Sequence, residues 1–92
     1  MKMNLDILNL EGKIDVESVE NWVQQIESYY YVNQLSEAEK ITIASLKMLT
    51  FVHYWWENLS TRMERDRDPI DTWDKFVECI QKEFYPPKYI EQ

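Results

Sequence analysis

Residues 15–34, DVESVENWVQQIESYYYVNQ, decide the fold class. Val19, Trp22, Val23, Ile26 and Tyr30 recur at i, i+3, i+4, i+7 and i+11, the spacing of one face of an α-helix. Asp15 precedes the run as an N-cap residue, and Glu17 and Glu20 stand in the first turns, where the helix dipole favours negative charge. The spacing predicts a helix over residues 16–32, ending near Asn33-Gln34, because Asn tolerates the left-handed cap conformation. Tyr31 falls on the side of this helix opposite Trp22 and Ile26.

The same reading extends in both directions. Ser36-Glu37-Ala38-Glu39 is a capping box that opens a second helix, expected to run to about residue 49, with Ala38, Ile41, Ser45 and Leu49 on one stripe and Leu46 and Met48 beside it. Met48, Leu49, Val52, Trp55, Trp56, Leu59 and Met63 share a third face, with His53 and Tyr54 pointing elsewhere. Periodicity alone does not separate the second helix from the third, and the weak helix formers Thr50-Phe51-Val52 are the expected break. The sign-alternating run Arg62-Met63-Glu64-Arg65-Asp66-Arg67-Asp68-Pro69 reads as a solvated helix end and loop. Asp71 or Thr72 then caps a fourth helix with the face Trp73, Phe76, Val77, Ile80 and Phe84, which Pro86-Pro87 ends. Ile7, Leu8 and Leu10 form a short apolar arm before Glu11-Gly12, able to lie extended across the bundle.

The chain has 92 residues, 45% of them hydrophobic and 14% aromatic. That length supports one small core, which must be dense in large side chains. One Gly and three Pro are too few turn-formers for a β-sandwich or barrel. The expectation is therefore an all-α small bundle of four to five helices with an extended N-terminal arm. It forms a single domain over 1–92, divided into an arm (1–14), a helical body (15–87) and a tail (88–92). Trp22, Ile26, Trp55, Trp56, Trp73, Phe76 and Phe84 are the expected core, since each lies on the apolar stripe of its own helix.

Chemistry finds little to work with. The single Cys and single His exclude a disulfide framework and a zinc finger, and an unpaired Cys fits a reducing, intracellular setting. His53 has no Ser or Cys at helical spacing to activate, and Cys79 lies on the flank of the fourth helix, where a bystander outweighs the one alternative left by the sequence, a Cys79–His53 pair across two helices; the carboxylates fall on solvent faces, and one Gly cannot build a phosphate loop. The expectation is no enzyme, no cofactor and no metal. The net charge of −7 argues against direct nucleic-acid binding and against docking on an anionic membrane. Six acids and no Lys or Arg lie between Ile14 and Glu39, while Arg62, Arg65 and Arg67 are interleaved with Glu64, Asp66 and Asp68. Tyr29, Tyr31, Phe51 and Tyr54 sit at stripe edges or off the stripes. They are candidates for an interface or a peptide groove, unless the arm or a neighbouring helix covers them.

The order of these motifs resembles the Gag protein of gypsy-type LTR retrotransposons, specifically the amino-terminal lobe of its capsid region, a lobe also found in domesticated relatives such as the neuronal Arc protein. The resemblance runs from about Leu8 to Pro87. It rests on the apolar arm with its Gly, Trp22-x-x-x-Ile26-Glu27-x-Tyr29, the capped second helix, Trp55-Trp56-x-x-Leu59, Trp73-x-x-Phe76 and Phe84-x-Pro86. Where the family usually has Gly, about five positions before the tandem Trp, this chain has Thr50, and Val52 replaces the usual Ala. The resemblance implies a structural lobe that associates with other Gag subunits to build a cytoplasmic, virus-like shell around RNA, with a second lobe beyond the tail. Its alternative implication is a domesticated module that binds short host peptides in a groove beside the arm.

Overall fold

A computed structural model describes residues 7–87. Its elements are α1 (Val16–Asn33), α2 (Glu37–Leu46), α3 (Thr50–Arg65) and α4 (Trp73–Phe84). Residues 1–6 of the expected arm and the expected tail lie outside the described residues.

Three of the four helix starts are fixed by side chains adjacent in sequence. Asp15 accepts from the Ser18 N–H at 2.9 Å and the Ser18 hydroxyl accepts from the Asp15 N–H, a reciprocal capping box. Ser36 and Glu39 make the same exchange at the start of α2. Of the two candidates at α4, Thr72 is the cap, accepting from the Lys75 N–H. The end of α1 lies one residue beyond the expected span, and Gln34, rather than Asn33, takes the left-handed position. The Asn33 amide instead donates to the Tyr29 carbonyl at 2.9 Å.

The core gathers on Phe76 of α4. Trp56 meets its ring edge-on at 5.0 Å, Trp73 stacks at 5.0 Å, and Trp22 lies at 6.2 Å. Three tryptophans from α1, α3 and α4 thus converge on one phenylalanine, with Val19, Ile26, Ala44, Val52 and Ile80 filling the space around them. The backbones of α1, α2 and α4 approach one another closely, whereas α3 reaches the core through Val52 and the long side chain of Trp56. Trp55 and Phe84, expected in the core, are only half-buried. They pair with each other at 5.2 Å on the rim, where exposed Phe51 also meets Phe84 at 6.1 Å, so their stripe positions lie at its solvent edge.

Two expectations about α2 are corrected. The helix ends at Leu46, not residue 49, and the break falls at residues 47–49 rather than at Thr50-Phe51-Val52. The arm is the cause. Leu10 lies parallel to Met48 in an isolated bridge, its N–H donating to the Lys47 carbonyl at 2.7 Å and its carbonyl accepting from the Leu49 N–H at 3.2 Å. Those backbone groups serve the arm, so neither flanking helix can claim them. The Leu8 N–H donates to the Gln25 side chain, while Ile7 and Leu10 are buried. The second correction is rotational. Ala38 and Leu46 face solvent, and the buried line of α2 is Lys40 and Ala44, continued by Met48 beyond the helix end.

Lys40 explains the rotation. It is 5% exposed, with its ammonium 3.6 Å from the centre of the Tyr30 ring, 5.5 Å from Trp73 and 3.2 Å from the Glu37 carboxylate. A buried ammonium needs such partners, and two ring faces plus a carboxylate supply them. Glu37 also accepts from the Trp73 N–H at 2.6 Å, and Glu27 of α1 accepts from the Trp73 indole N–H at 2.9 Å. This network ties α1, α2 and the start of α4 at one end of the bundle.

Candidate functional site

Of the four aromatic candidates, the structure covers one in part and exposes three. Tyr29 is half-buried and packs against the core. Tyr31 is 83% exposed and Tyr54 70%, and Phe51, though its ring meets Phe84 of α4, is 53% exposed; none of the three is enclosed by the described residues.

The exposed side chains form two separate places. At the C-terminal end of α1, exposed Tyr31 stands between two open depressions of about 440 and 420 Å³ and lines both, the first with Gln24, Glu27, Ser28 and Val32, the second with Tyr30, Gln34 and Leu35. This is a ridge. At the α2–α3 joint, Leu46 and Tyr54 border a depression of about 400 Å³, floored by Met48 and Leu49 and reaching Thr50 and His53. The His53 and Tyr54 rings lie 5.9 Å apart on this rim. Phe51 is turned toward Phe84 and the rim of the core.

Leu46 is the residue that pattern reading missed as a surface element. In the spacing it lies beside the apolar stripe of α2, and only the rotation that buries Lys40 turns it outward. The joint itself left one trace in the sequence, Thr50 at the position where the resembling family has Gly. Thr50 has φ 55°, in the left-handed region, which explains why Gly suits that position.

Among the described residues the titratable groups do not converge on a reaction centre. Burial pushes the Cys79 thiol up, with the neighbouring Glu78 charge adding to the effect, which is the reverse of an activated nucleophile. Glu37 is held below the usual carboxylate range, first by the Trp73 N–H and then by Lys40. Asp15 is lowered chiefly by the Ser18 N–H. Both shifts follow from hydrogen bonds that hold helix starts in place. No group of three His, Cys, Asp or Glu side chains among the described residues could hold a metal ion. No helix among them is long and apolar enough to cross a membrane.

The sequence matches the family described as "Retrotransposon-derived protein PEG10, N-terminal capsid-like domain" over residues 4–85. Searches of curated proteins and of solved structures returned no match.

Proposed function

The chain belongs to the family of the retrotransposon-derived PEG10 N-terminal capsid-like domain, and from that premise we propose that it is a Gag capsid N-lobe of gypsy type, associating weakly with its own kind to build a shell around RNA. The observation that supports this reading is the placement of apolar side chains. The core is closed around Phe76, yet Tyr31, Val32, Leu46 and Tyr54 are each more than three-fifths exposed. Apolar side chains grouped on an otherwise charged surface mark protein contacts. Each contact on so small a lobe is weak, and a shell gains its stability from many of them acting together. RNA would then be held by a basic segment elsewhere in a Gag chain, since this lobe carries a net charge of −7.

Sedimentation velocity over a wide concentration range, with electron microscopy of the most concentrated samples, tests the reading. The expected result is reversible oligomers that grow with concentration. A strict monomer throughout overturns self-association by this lobe.

One observation favours a second reading, a module that binds short peptides: the depression at the α2–α3 joint lies beside the backbone that pairs with the arm. A monomer that takes up an apolar peptide and loses it on Tyr54→Ser would support that reading instead.

A further inference from the structure

We propose that the joint between α2 and α3 is a hinge which the N-terminal arm holds shut. When Leu10 leaves Met48, residues 47–50 join α2 to α3 as one helix. The α3–α4 half then seats in a second copy of the chain, which returns its own half in exchange. This exchange is separate from the surface contacts proposed above.

The break at residues 47–49 is not written in those residues. Lys47, Met48 and Leu49 are all good helix formers, and no Gly or Pro occurs between Gly12 and Pro69. α3 starts without a side-chain cap, so its first N–H donors lack the partner that α1, α2 and α4 each have. Thr50, a β-branched residue, sits at φ 55°, a conformation that a continuous helix would relieve. Leu10 is what holds the chain out of the helix. Its N–H takes the Lys47 carbonyl, which in a continuous helix would accept from Phe51. Its carbonyl takes the Leu49 N–H, which would donate to Ser45.

Geometry then makes the partner a second copy. With the joint helical, residues 37–65 form a rod roughly 42 Å from end to end. The link from Arg65 to Trp73 reaches at most about 29 Å when fully extended. In the closed molecule the Trp73 N–H donates to Glu37, at the far end of that rod, and one straightened molecule cannot keep this bond. The bond from the Trp73 indole to Glu27 and the contact of Trp22 with Phe76 likewise join the α1–α2 half to the α3–α4 half. A second copy offers the vacated seat residue for residue, so identity of sequence selects the partner. Exchange of an identical element is a low-cost route to a dimer, and a short, strained hinge invites it.

Refolding an even mixture of isotope-labelled and unlabelled chains from urea, at high protein concentration, tests this. Size exclusion separates dimer from monomer, and isotope-filtered NMR reads whether Trp22 of one copy lies against Phe76 of the other. Wild type is expected to yield a dimer that persists on dilution and carries that contact between copies. Leu10→Asp places a charge in a buried seat and drives the arm out, and should raise the dimerisation constant at least about tenfold. Thr50→Gly relieves the closed form and weakens the rod, and should lower it at least about tenfold. Thr50 is exposed, so this second variant decides the matter if Leu10→Asp loses its helix content. A dimer whose Trp22–Phe76 contact stays within each copy overturns the exchange and leaves the surface-contact reading standing. So does the absence of any persistent dimer, or one that Thr50→Gly leaves unchanged. A folded Leu10→Asp that dimerises no better than wild type overturns the hold of the arm.

Discussion

Thr50 carries a β-branched side chain at φ 55°, where the Cβ crowds its own backbone, at a cost of roughly 1–2 kcal/mol. Its hydroxyl offsets part of this by donating to the Leu49 carbonyl at 2.6 Å. Thr50→Gly is expected to raise stability by about 1 kcal/mol, read as a higher midpoint in thermal or urea unfolding; a lower midpoint would mean that the strain is not there. Lys40 presents the opposite case, an ammonium whose position depends on neighbours from two other helices. Lys40→Met keeps the aliphatic stem but removes the charge over Tyr30 and Trp73, and is expected to destabilise by about 1–2 kcal/mol in urea titration. Its partner Glu37 gives the acid response. Its carboxyl lies below the usual range in the folded protein, so its contribution is complete above the unfolded-state pKa and is lost as pH falls through the lower folded value. Stability measured from pH 7 down to pH 2 should therefore fall on an acid limb that Glu37→Gln makes shallower, and an unchanged limb would remove Glu37 from the account.

Among the elements, those written by neighbouring residues were legible and those written by distant ones were not. The Asp15 and Ser36 caps need only a partner three positions on, and the apolar spacing of α1, α3 and α4 repeats within each helix. The rotation of α2 was not legible, because an isolated stripe assigns Lys40 to solvent and only Tyr30, Trp73 and Glu37 together make its burial affordable. The end of α2 was hidden for the same reason, since Leu10 competes for its backbone from far upstream. Ile70 and Tyr85, buried outside any helix, also escaped, as a single apolar residue in a connection has no periodicity to reveal it. In the candidate site, leaving the stripe was a sufficient signal for Tyr31 and Tyr54, whereas Leu46 required the rotation. The arm should accordingly behave as part of the core. Leu10 is 2% exposed, and Leu10→Ala is expected to cost about 2–4 kcal/mol in urea unfolding; a change below about 1 kcal/mol would make the arm an ornament.

For the whole molecule, the net charge of −7 sets two copies repelling one another at a distance, while the exposed side chains Tyr31, Val32, Leu46 and Tyr54 carry no charge. Added salt shortens the reach of the repulsion to about 3 Å at 1 M and leaves apolar burial intact. Association should therefore strengthen as salt is raised, seen as a rising weight-average sedimentation coefficient; weakening would mean that ion pairs carry the contact. The bridge between Leu10 and Met48 also has a consequence in time. A ribosome makes the arm before it makes the place where the arm belongs. Between the two lie about 38 residues, roughly 2–8 s of synthesis at about 5–20 residues per second. Throughout that interval the backbone of Leu10 has no partner. The first part of the described chain to be made thus waits for a seat in the middle of the chain, and the core around Phe76 waits longer still, for the fourth helix.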